Sequence, residues 1–323
     1  MLRFGSLEIA GPALLAPMSG ITDRPFRRLI RRCNPSAVGL YTSEFISAEA
    51  LWYNSQRSVL MMRSDPDEIP FAVQLFGRDL DRMVNAGEMA QKAGAQLVDI
   101  NCGCPAPKVV KRGGGAALMR EPEHFSQLVE AMVKALSVPV TVKLRAGWDE
   151  NSINAVEFAR RAEDAGASAV AVHPRTRRKP YSGDADWSLV ARVAQAISLP
   201  VIGSGDITTA EQQKELFETS GCAAFMVGRG AIANPFVFRE LAAARAGEQV
   251  PQAGKGERIT LLAAYAELLA EDLPRRAHLG RLKNFANRMV SPWETPELRR
   301  RLLHCDSPER LLDEVRRTVE TAA

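Results

Sequence analysis

Short apolar runs rich in β-branched residues recur along roughly the first 230 residues, and a segment of helical periodicity follows each of them. The runs are ALLAPM from residue 13, VGLYTSE from 38, FAVQLFG from 71, LVDINCG from 97, VTVKLRAG from 140, AVAVHPR from 169, PVIGSGD from 200 and AAFMVGR from 223. Their length and composition predict eight strands, each followed by a helix.

The helices between these strands carry start and stop signals. The predicted helix starts are Asp79, Glu121, Asn154 and Thr208. Three helices are predicted to end at a glycine, at Gly94, Gly166 and Gly221, because a left-handed residue commonly closes a helix. Strands and helices therefore alternate over most of the chain.

Eight strand–helix units predict an α/β fold, a closed (β/α)8 TIM barrel, because parallel strands need crossover helices and eight strands close the sheet. An open doubly wound sheet is the alternative. Residues able to contact a ligand stand at the ends of many strands, which favours the barrel, since in a barrel these ends share one mouth. They are Met18, Glu44, Gln74, Asn101, Lys143, His173, Asp206 and Arg229.

The β pattern stops after Phe238, and only helical periodicity remains from Glu257 onward. The intervening stretch AGEQVPQAGKGE is rich in glycine, proline and polar residues, as linkers are. We predict a barrel domain over residues 1–245 and a smaller all-helical C-terminal domain over residues 246–323.

The composition is that of a globular protein, with 46% hydrophobic and 25% charged residues over 323 positions. A formal net charge of +4 is too small to mark the whole chain as a nucleic-acid binder, so any polyanion site must come from local clustering. The five cysteines lack the spacing of a secreted disulfide scaffold, and neither a signal peptide nor an apolar run of about twenty residues is present. We expect a cytoplasmic protein with no membrane partner.

The stretch DINCGCPAPKVVKR, residues 99–112, places Cys102 and Cys104 at the end of a buried strand. A metal site, a redox pair, a nucleophile and a proton donor are all conceivable. A zinc site needs four ligands, and the other cysteines offer no second pair, so we expect no metal. Dithiol redox sites usually separate their cysteines by two residues, which disfavours a redox pair.

Two glycine-rich loops, VIGSGDITT near residue 202 and VGRGAIANP near residue 228, end the seventh and eighth predicted strands. Backbone N–H groups of these loops would converge on a phosphate, because barrels commonly bind phosphate at this pair of loops. The alternative is that the glycines only form tight turns. Arg229 would add charge to the anion, while Lys143 and Gln74 would hold a polar ring system in the same mouth.

Seven segments, taken together and in order, resemble the tRNA-dihydrouridine synthase family, and most of all its bacterial B-type branch. They are APMSGITDRPFRRL, QLFG, DINCGCPAPKV, VTVKLRAGW, VHPRTRRKPYSGDADW, VIGSGDI and VGRGAIANP. The resemblance implies an FMN-dependent oxidoreductase that reduces uridine to 5,6-dihydrouridine in tRNA, with NADPH (or NADH) as reductant. The sequence departs from the branch at Ser204, where asparagine is frequent, and at Cys102, where an apolar residue is common.

Reduction of the uracil double bond needs a hydride at one carbon and a proton at its neighbour. A thiol with an ordinary pKa of about 8.5 is protonated near neutrality and suits the second step. The resemblance assigns this role to Cys104, and we interpret Cys102 as a structural thiol. The predicted cofactor-binding residues are Ala16, Pro17, Met18, Gln74, Asn101, Lys143, His173, Ser204, Gly205, Asp206, Gly228 and Arg229. The alternative for His173 is a purely structural role.

Basic residues near the mouth and in the tail are candidates for contact with tRNA, and we predict that the helical domain over residues 246–323 binds tRNA. Lys108, Lys111 and Arg112 directly follow the proposed catalytic thiol. The predicted substrate-binding residues are Arg175, Arg177, Arg178, Lys179, Tyr181, Arg281 and Lys283. Each of these could instead belong to a solvated surface.

Two other functions remain open at this stage. One is an FMN-dependent oxidoreductase of a free pyrimidine, similar to dihydroorotate dehydrogenase, and the basic helical tail argues against it. The other is a non-catalytic RNA-binding barrel, which the presence of Cys104, Lys143 and both glycine loops disfavours. The sequence indicates neither the target uridine nor the oligomeric state.

Overall fold

The computed structural model describes residues 2–180, 182–289 and 295–321. Its strands are β1 Leu2–Phe4, β2 Leu7–Ile9, β3 Ala13–Leu15, β4 Tyr41–Ser47, β5 Phe71–Phe76, β6 Leu97–Cys102, β7 Val140–Arg145, β8 Ala169–His173, β9 Val201–Ser204 and β10 Ala224–Val227. Its α-helices are α1 Arg24–Cys33, α2 Ala48–Trp52, α3 Gln56–Met61, α4 Leu80–Lys92, α5 Pro107–Val110, α6 Pro122–Ala135, α7 Ala155–Asp164, α8 Trp187–Ala196, α9 Ala210–Ser220, α10 Arg229–Ala233, α11 Val237–Ala246, α12 Lys255–Asp272, α13 Arg275–Met289, α14 Pro296–His304 and α15 Pro308–Thr321. A 3-10 helix covers Gly115–Arg120.

Eight parallel strands form the sheet that was predicted, in the order β3-β10-β9-β8-β7-β6-β5-β4. The sheet closes between its two edge strands, where Leu14 pairs with Leu40 and the Leu15 N–H donates to the Leu40 carbonyl at 2.9 Å. This closure confirms the TIM barrel and excludes the open doubly wound sheet.

The predicted helix signals hold with one correction. Asp79 caps α4, its side chain accepting a hydrogen bond from the backbone of the first turn, and Gly221 ends α9 at a left-handed φ of +64°. The predicted start at Thr208 is wrong by one residue, because the Thr209 hydroxyl accepts the N–H of Gln212 and so caps α9.

An antiparallel hairpin, β1 with β2, precedes the barrel and was not predicted. Phe4 and Ile9 of the hairpin are buried among the inward-facing residues of the barrel strands. The turn between the strands lies near Pro139 and Ser168, which directly precede β7 and β8. The hairpin therefore covers the amino-terminal end of the barrel and leaves the opposite end for a site.

Helices α12 to α15 pack against the barrel through α1, which contacts α12, and through α10, which contacts α13. Phe26 of α1 makes edge-to-face contacts with Tyr265 and Phe285, and Arg24 and Arg28 form ion pairs with acidic residues at the end of α12. The contact thus combines an apolar centre with charged edges. In the part of the chain that the structure describes, every helix is too short or too polar to traverse a bilayer.

Candidate functional site

A cavity of about 1400 Å³ opens at the carboxyl ends of the barrel strands. Cys104 and all of the residues predicted to bind the cofactor line it. The helical tail forms part of its wall through Arg288, one of the basic tail residues expected near RNA, and through three residues that were not predicted, namely Asn284, Asn287 and Arg299. The volume exceeds the roughly 300–1,000 Å³ typical of a site for one small molecule. The cavity is therefore large enough for two ring systems side by side.

A chain of buried hydrogen bonds runs from Asp99 through the cavity-lining residues Gln74 and Asn101 to the loop that carries Cys104. Asp99 accepts hydrogen bonds from Thr141 Oγ1 and Gln74 Nε2, both at 2.6 Å. Gln74 Oε1 in turn accepts from Asn101 Nδ2 at 2.7 Å, and Asn101 Oδ1 accepts the N–H of Cys104 at 2.9 Å. Since a backbone N–H only donates, the Cys104 end fixes the orientation of both amides.

Asp99 was not predicted. Its buried carboxylate lies at the opposite end of the hydrogen-bond chain from Cys104. Burial raises its pKa from the ordinary value of 3.8 to about 6, against the hydrogen bonds from Gln74 and Thr141. Burial also lowers the pKa of Lys143 to about 8, with a contribution from Arg145, while the charge of Asp99 opposes that change. The signal for Asp99 was an acidic residue inside an otherwise apolar strand.

Cys104 lies in a loop that Arg145 and Gly115 contact closely. Arg145, a second residue that was not predicted, donates from Nε to the Gly103 carbonyl at 2.6 Å. Gly115 has a left-handed φ of +59°, and a Cβ atom there would lie 2.8 Å from the Cys104 carbonyl oxygen. Burial raises the pKa of the Cys104 thiol, so the thiol is protonated near neutral pH.

The second cysteine lies deeper. Cys102 is fully buried, whereas Cys104 retains 8% exposure at the cavity wall. Burial and the nearby Asp99 carboxylate raise the pKa of Cys102 well above its ordinary value. This placement favours Cys104 as the thiol that can reach a ligand.

His173 lies at the cavity wall as a neutral imidazole. Burial and then the positive charges of Lys143, Arg145, Arg175 and Arg229 lower its pKa to about 2. Its Nδ1 atom is buried and has no hydrogen-bond partner among the described residues. His173 is thus suited to hydrogen bonding with a ligand and not to delivering a proton from an imidazolium ion.

The loops after β9 and β10 form the side of the cavity where an anion was predicted. Ser204, Gly205 and Gly228 line it, and the backbone at Gly205 has a left-handed φ of +124°. Asp206 also adopts a left-handed φ of +55° and accepts from Arg175 at 2.6 Å. Burial opposes its ionisation, but the Arg175 hydrogen bond holds the Asp206 pKa below its ordinary value.

The residues predicted to contact RNA in the loop after β8 occupy different environments. Arg177 and Arg178 line the cavity, whereas Arg175 is buried and bonded to Asp206 and to the Gly183 carbonyl. Lys179 pairs with Glu150 at 3.2 Å on the surface. Tyr181 lies outside the described residues.

The two basic residues predicted in the tail bind other parts of the protein. Arg281 lies 3.4 Å from Asp23 and 3.9 Å from Glu44, both of which are buried carboxylates of the barrel. Lys283 donates to the Leu303 carbonyl at 2.6 Å, near the end of α14. Arg281 therefore joins the tail to the barrel, and a direct contact of either residue with RNA stays a prediction.

In the described part of the chain, no three His, Cys, Asp or Glu side chains lie together in an arrangement that could hold a metal ion. All five cysteines are free and buried.

Comparison with known proteins identifies the family. A family model described as dihydrouridine synthase (Dus) matches residues 14–323. The chain belongs to the dihydrouridine synthase family. It is 39% identical over 254 residues to tRNA-dihydrouridine synthase B of Pseudomonas aeruginosa, covering 78% of this chain and 76% of the relative. It is 43% identical over 256 residues to a probable tRNA-dihydrouridine synthase of Rhodobacter capsulatus, covering 79% of this chain and 78% of the relative.

Membership in the dihydrouridine synthase family confirms the resemblance predicted from the motifs and makes the chain an enzyme of a flavin-dependent class. The cavity fits a flavin on two observations. The Nδ1 atom of His173 is buried without a hydrogen-bond partner among the described residues, and the amine-bearing Lys143 lines the same cavity. Both groups face space large enough for a ring system rich in acceptors.

Proposed function

We propose that this chain reduces uridine to 5,6-dihydrouridine in tRNA. The observation that carries the proposal is a protonated thiol, Cys104, in the same cavity as a set of polar groups that suits a flavin. The names of the relatives, tRNA-dihydrouridine synthases of several bacteria, support tRNA as the substrate. Five unpaired cysteines and a tRNA substrate favour a cytoplasmic location.

FMN is the cofactor that we propose, with NADPH or NADH as its reductant. Lys143, Gln74 and His173 would hold the ring system, and the loops after β9 and β10 would hold the phosphate together with Arg229. When bound, the reduced flavin supplies the hydride for one carbon of the uracil double bond. The barrel, which we propose as residues 1–245, contributes all of these groups.

Cys104 donates the proton to the neighbouring carbon. Its raised pKa keeps the thiol protonated until negative charge develops on that carbon, when transfer becomes favourable. The Asn101 bond to the Cys104 N–H and the Arg145 bond to the Gly103 carbonyl fix the loop that carries the thiol. The resulting thiolate regains its proton from water through the open mouth.

Asn284, Asn287 and Arg288 face the barrel groups from the other side of the cavity. The Oδ1 atom of Asn287 is buried and has no partner among the described residues, so it can accept a hydrogen bond from a base. We propose that the target uridine leaves the RNA stack and enters between barrel and tail, since enzymes that modify a base must expose it first.

Single-turnover reoxidation tests this function. Protein with reduced FMN is mixed anaerobically with an unmodified tRNA transcript, flavin absorbance is followed, and dihydrouridine is quantified by mass spectrometry. Cys104→Ala should slow reoxidation about a hundredfold to ten-thousandfold, the usual contribution of a positioned general acid. Flavin reduction by NADPH should be nearly unchanged, because that step needs no proton transfer to uracil.

Cys102→Ala is the matched control, and it should cost only stability, on the order of 1 kcal/mol. If Cys102→Ala is slow and Cys104→Ala is fast, the two cysteines exchange roles. Reoxidation by orotate or uracil instead of tRNA would favour an oxidoreductase of free pyrimidines. Binding of tRNA without any reoxidation in the parent protein would favour a non-catalytic RNA-binding barrel.

A further inference from the structure

A second concave site lies on the barrel surface, next to the loop that carries Cys104. It has a volume of about 560 Å³ and lies between α5 and the 3-10 helix. Its charged lining residues are Arg78, Lys111, Arg112, Arg120 and Glu121. Four cations and one carboxylate leave a local charge of +3, against a formal charge of +4 for the whole chain. We name this site the lateral basic pocket.

The charge of the lateral basic pocket is largely uncompensated. Among the residues that the structure describes, Arg78 is the one pocket cation that forms an ion pair, with Glu121. Within the described ranges, Lys111 and Arg112 form no ion pair with a carboxylate, and Arg120 shares Glu121 with Arg78 as its nearby negative charge. Side chains that are meant only to solubilise a surface are usually interspersed with opposite charges. A concave group in which cations outnumber carboxylates instead suits a ligand with several negative charges.

The pocket is connected to the active-site cavity through Trp148. The guanidinium of Arg120, which lines the pocket, lies 4.7 Å from the centroid of the Trp148 ring. The guanidinium of Arg177, which lines the cavity, lies 4.7 Å from the same centroid. A polyanion that extends from the cavity therefore meets further positive charge along this path.

An adjoining groove extends the lateral basic pocket toward two exposed aromatic rings. Arg78 and Arg112 also line this groove of about 370 Å³, which includes Arg82. The Arg82 guanidinium lies 6.0 Å from the Trp52 ring centroid and 5.5 Å from that of Tyr53. These rings are 45% and 67% exposed. Cations that alternate with exposed aromatic rings are typical of surfaces that bind nucleic acid, where phosphates and bases need different partners.

We propose that the lateral basic pocket binds phosphate groups of the tRNA strand that flanks the target uridine. This inference rests on the proposed function and assigns part of the RNA contact to the barrel, separate from the helical tail. The strand would leave the active-site cavity past Arg177 and Trp148, and its phosphates would then reach Arg120, Lys111 and Arg112. These contacts position the RNA and read no sequence.

A double substitution tests the inference. Lys111→Ala with Arg112→Ala removes two exposed charges from the pocket, so the protein should fold normally. Affinity for tRNA should fall about tenfold at 0.1 M salt, and the slope of log K against log salt should become shallower by about 2. The measurement is a filter-binding or fluorescence titration with the full chain carrying FMN, at several salt concentrations.

Lys92→Ala with Lys134→Ala is the matched control. Both lysines stand at or next to the last residue of their helices, α4 and α6, and so lie at the other end of the barrel. This control should leave affinity and salt slope unchanged. Equal slopes for the pocket variant and its parent would overturn the proposal.

Failure of this inference can be distinguished from failure of the proposed function. At saturating tRNA, the pocket variant should reoxidise its flavin at the parental rate, with only the tRNA concentration for half-maximal rate raised. A parent protein that forms no dihydrouridine would refute the proposed function instead. A pocket variant with a slower saturated rate and parental affinity would refute the inference, because it would assign the pocket to the chemical step.

Discussion

Replacement of Asp99 by asparagine separates the two tasks that the structure gives to its carboxylate. An asparagine can direct its oxygen toward Gln74 Nε2 and its amide toward Thr141 Oγ1, since a hydroxyl also accepts hydrogen bonds. The hydrogen-bond chain to Cys104 therefore survives. What is lost is the buried negative charge and its attraction for Lys143.

The magnitude follows from the pKa of Asp99, which burial raises from 3.8 to about 6. A shift of about two units corresponds to about 3 kcal/mol, at 1.36 kcal/mol per unit. Because the folded pKa is raised, the folded state holds its proton more tightly than the unfolded state. Parental stability thus falls as pH rises through the window from 3.8 to about 6, and the full cost remains above it.

The asparagine side chain of the Asp99→Asn variant does not titrate, so this variant should not lose stability over that pH window. Its melting temperature should match that of the parent near pH 4 and exceed it by roughly 5 °C at pH 7, since 1 kcal/mol shifts Tm by about 2 °C in a protein of this size. Thermal unfolding of flavin-free protein over this pH range measures the difference. A difference in Tm that is the same at pH 4 and pH 7 would refute the reasoning.

The same variant should bind FMN more weakly near neutral pH. Asp99 opposes the lowering of the Lys143 pKa, which stands at about 8, so its removal leaves the amine neutral over more of the neutral range. Asp99→Leu removes the charge as Asp99→Asn does, but it also breaks the hydrogen-bond chain to Cys104. It also leaves Gln74 and Thr141 without an acceptor, at about 1–3 kcal/mol for each buried group, and should increase the rate of alkylation of Cys104.

Two further substitutions test contacts that position the site. Arg281→Ala should destabilise the protein by about 2 kcal/mol, less than the roughly 3–5 kcal/mol typical of a fully buried pair, because Arg281 is 21% exposed. Burial raises the pKa of Asp23 to about 6, so the loss of stability should be larger at pH 8, where Asp23 is charged, than at pH 5. Equal losses at both pH values in thermal melting would count against this ion pair. Gly115→Ala should lower turnover on tRNA because its Cβ would press on the Cys104 carbonyl. Gly94→Ala has a similarly left-handed φ of +96° but meets nothing within 4 Å, so a steady-state assay that finds equal turnover in both variants would contradict the steric explanation.

The architecture could be predicted because its signals are local and repeated. Each barrel strand is a short apolar run, and the residue at its carboxyl end follows directly in sequence. Once closure is assumed, these ends must meet, which is why residues as distant as Met18 and Arg229 line one cavity as predicted. The hairpin of β1 and β2 escaped prediction because each strand has three residues with a charged residue in the middle, and neither belongs to a continuous apolar run such as the one that contains β3.

The partners of charged side chains could not be predicted in this way. Arg281 reads as one of many basic residues on a helix, and only the docked tail brings it to Asp23 and Glu44. Asp99 reads as part of a strand, and only the register of β5, β6 and β7 brings it between Gln74 and Thr141. Long-range geometry decides these roles, and a single sequence carries no local signal for it.

Barrel closure also bears on the order of events during synthesis. β10 pairs with β3, and the Ala16 N–H donates to the Val227 carbonyl at 2.9 Å, so the wall formed by Ala16 and Gly228 joins the first and last barrel strands. A nascent chain still lacking β10 leaves β3 with an open edge and only half of that wall. We therefore expect the cofactor to bind only after β10 has been synthesised, and the helical tail, which follows β10 in the chain, to dock after the barrel strands are available.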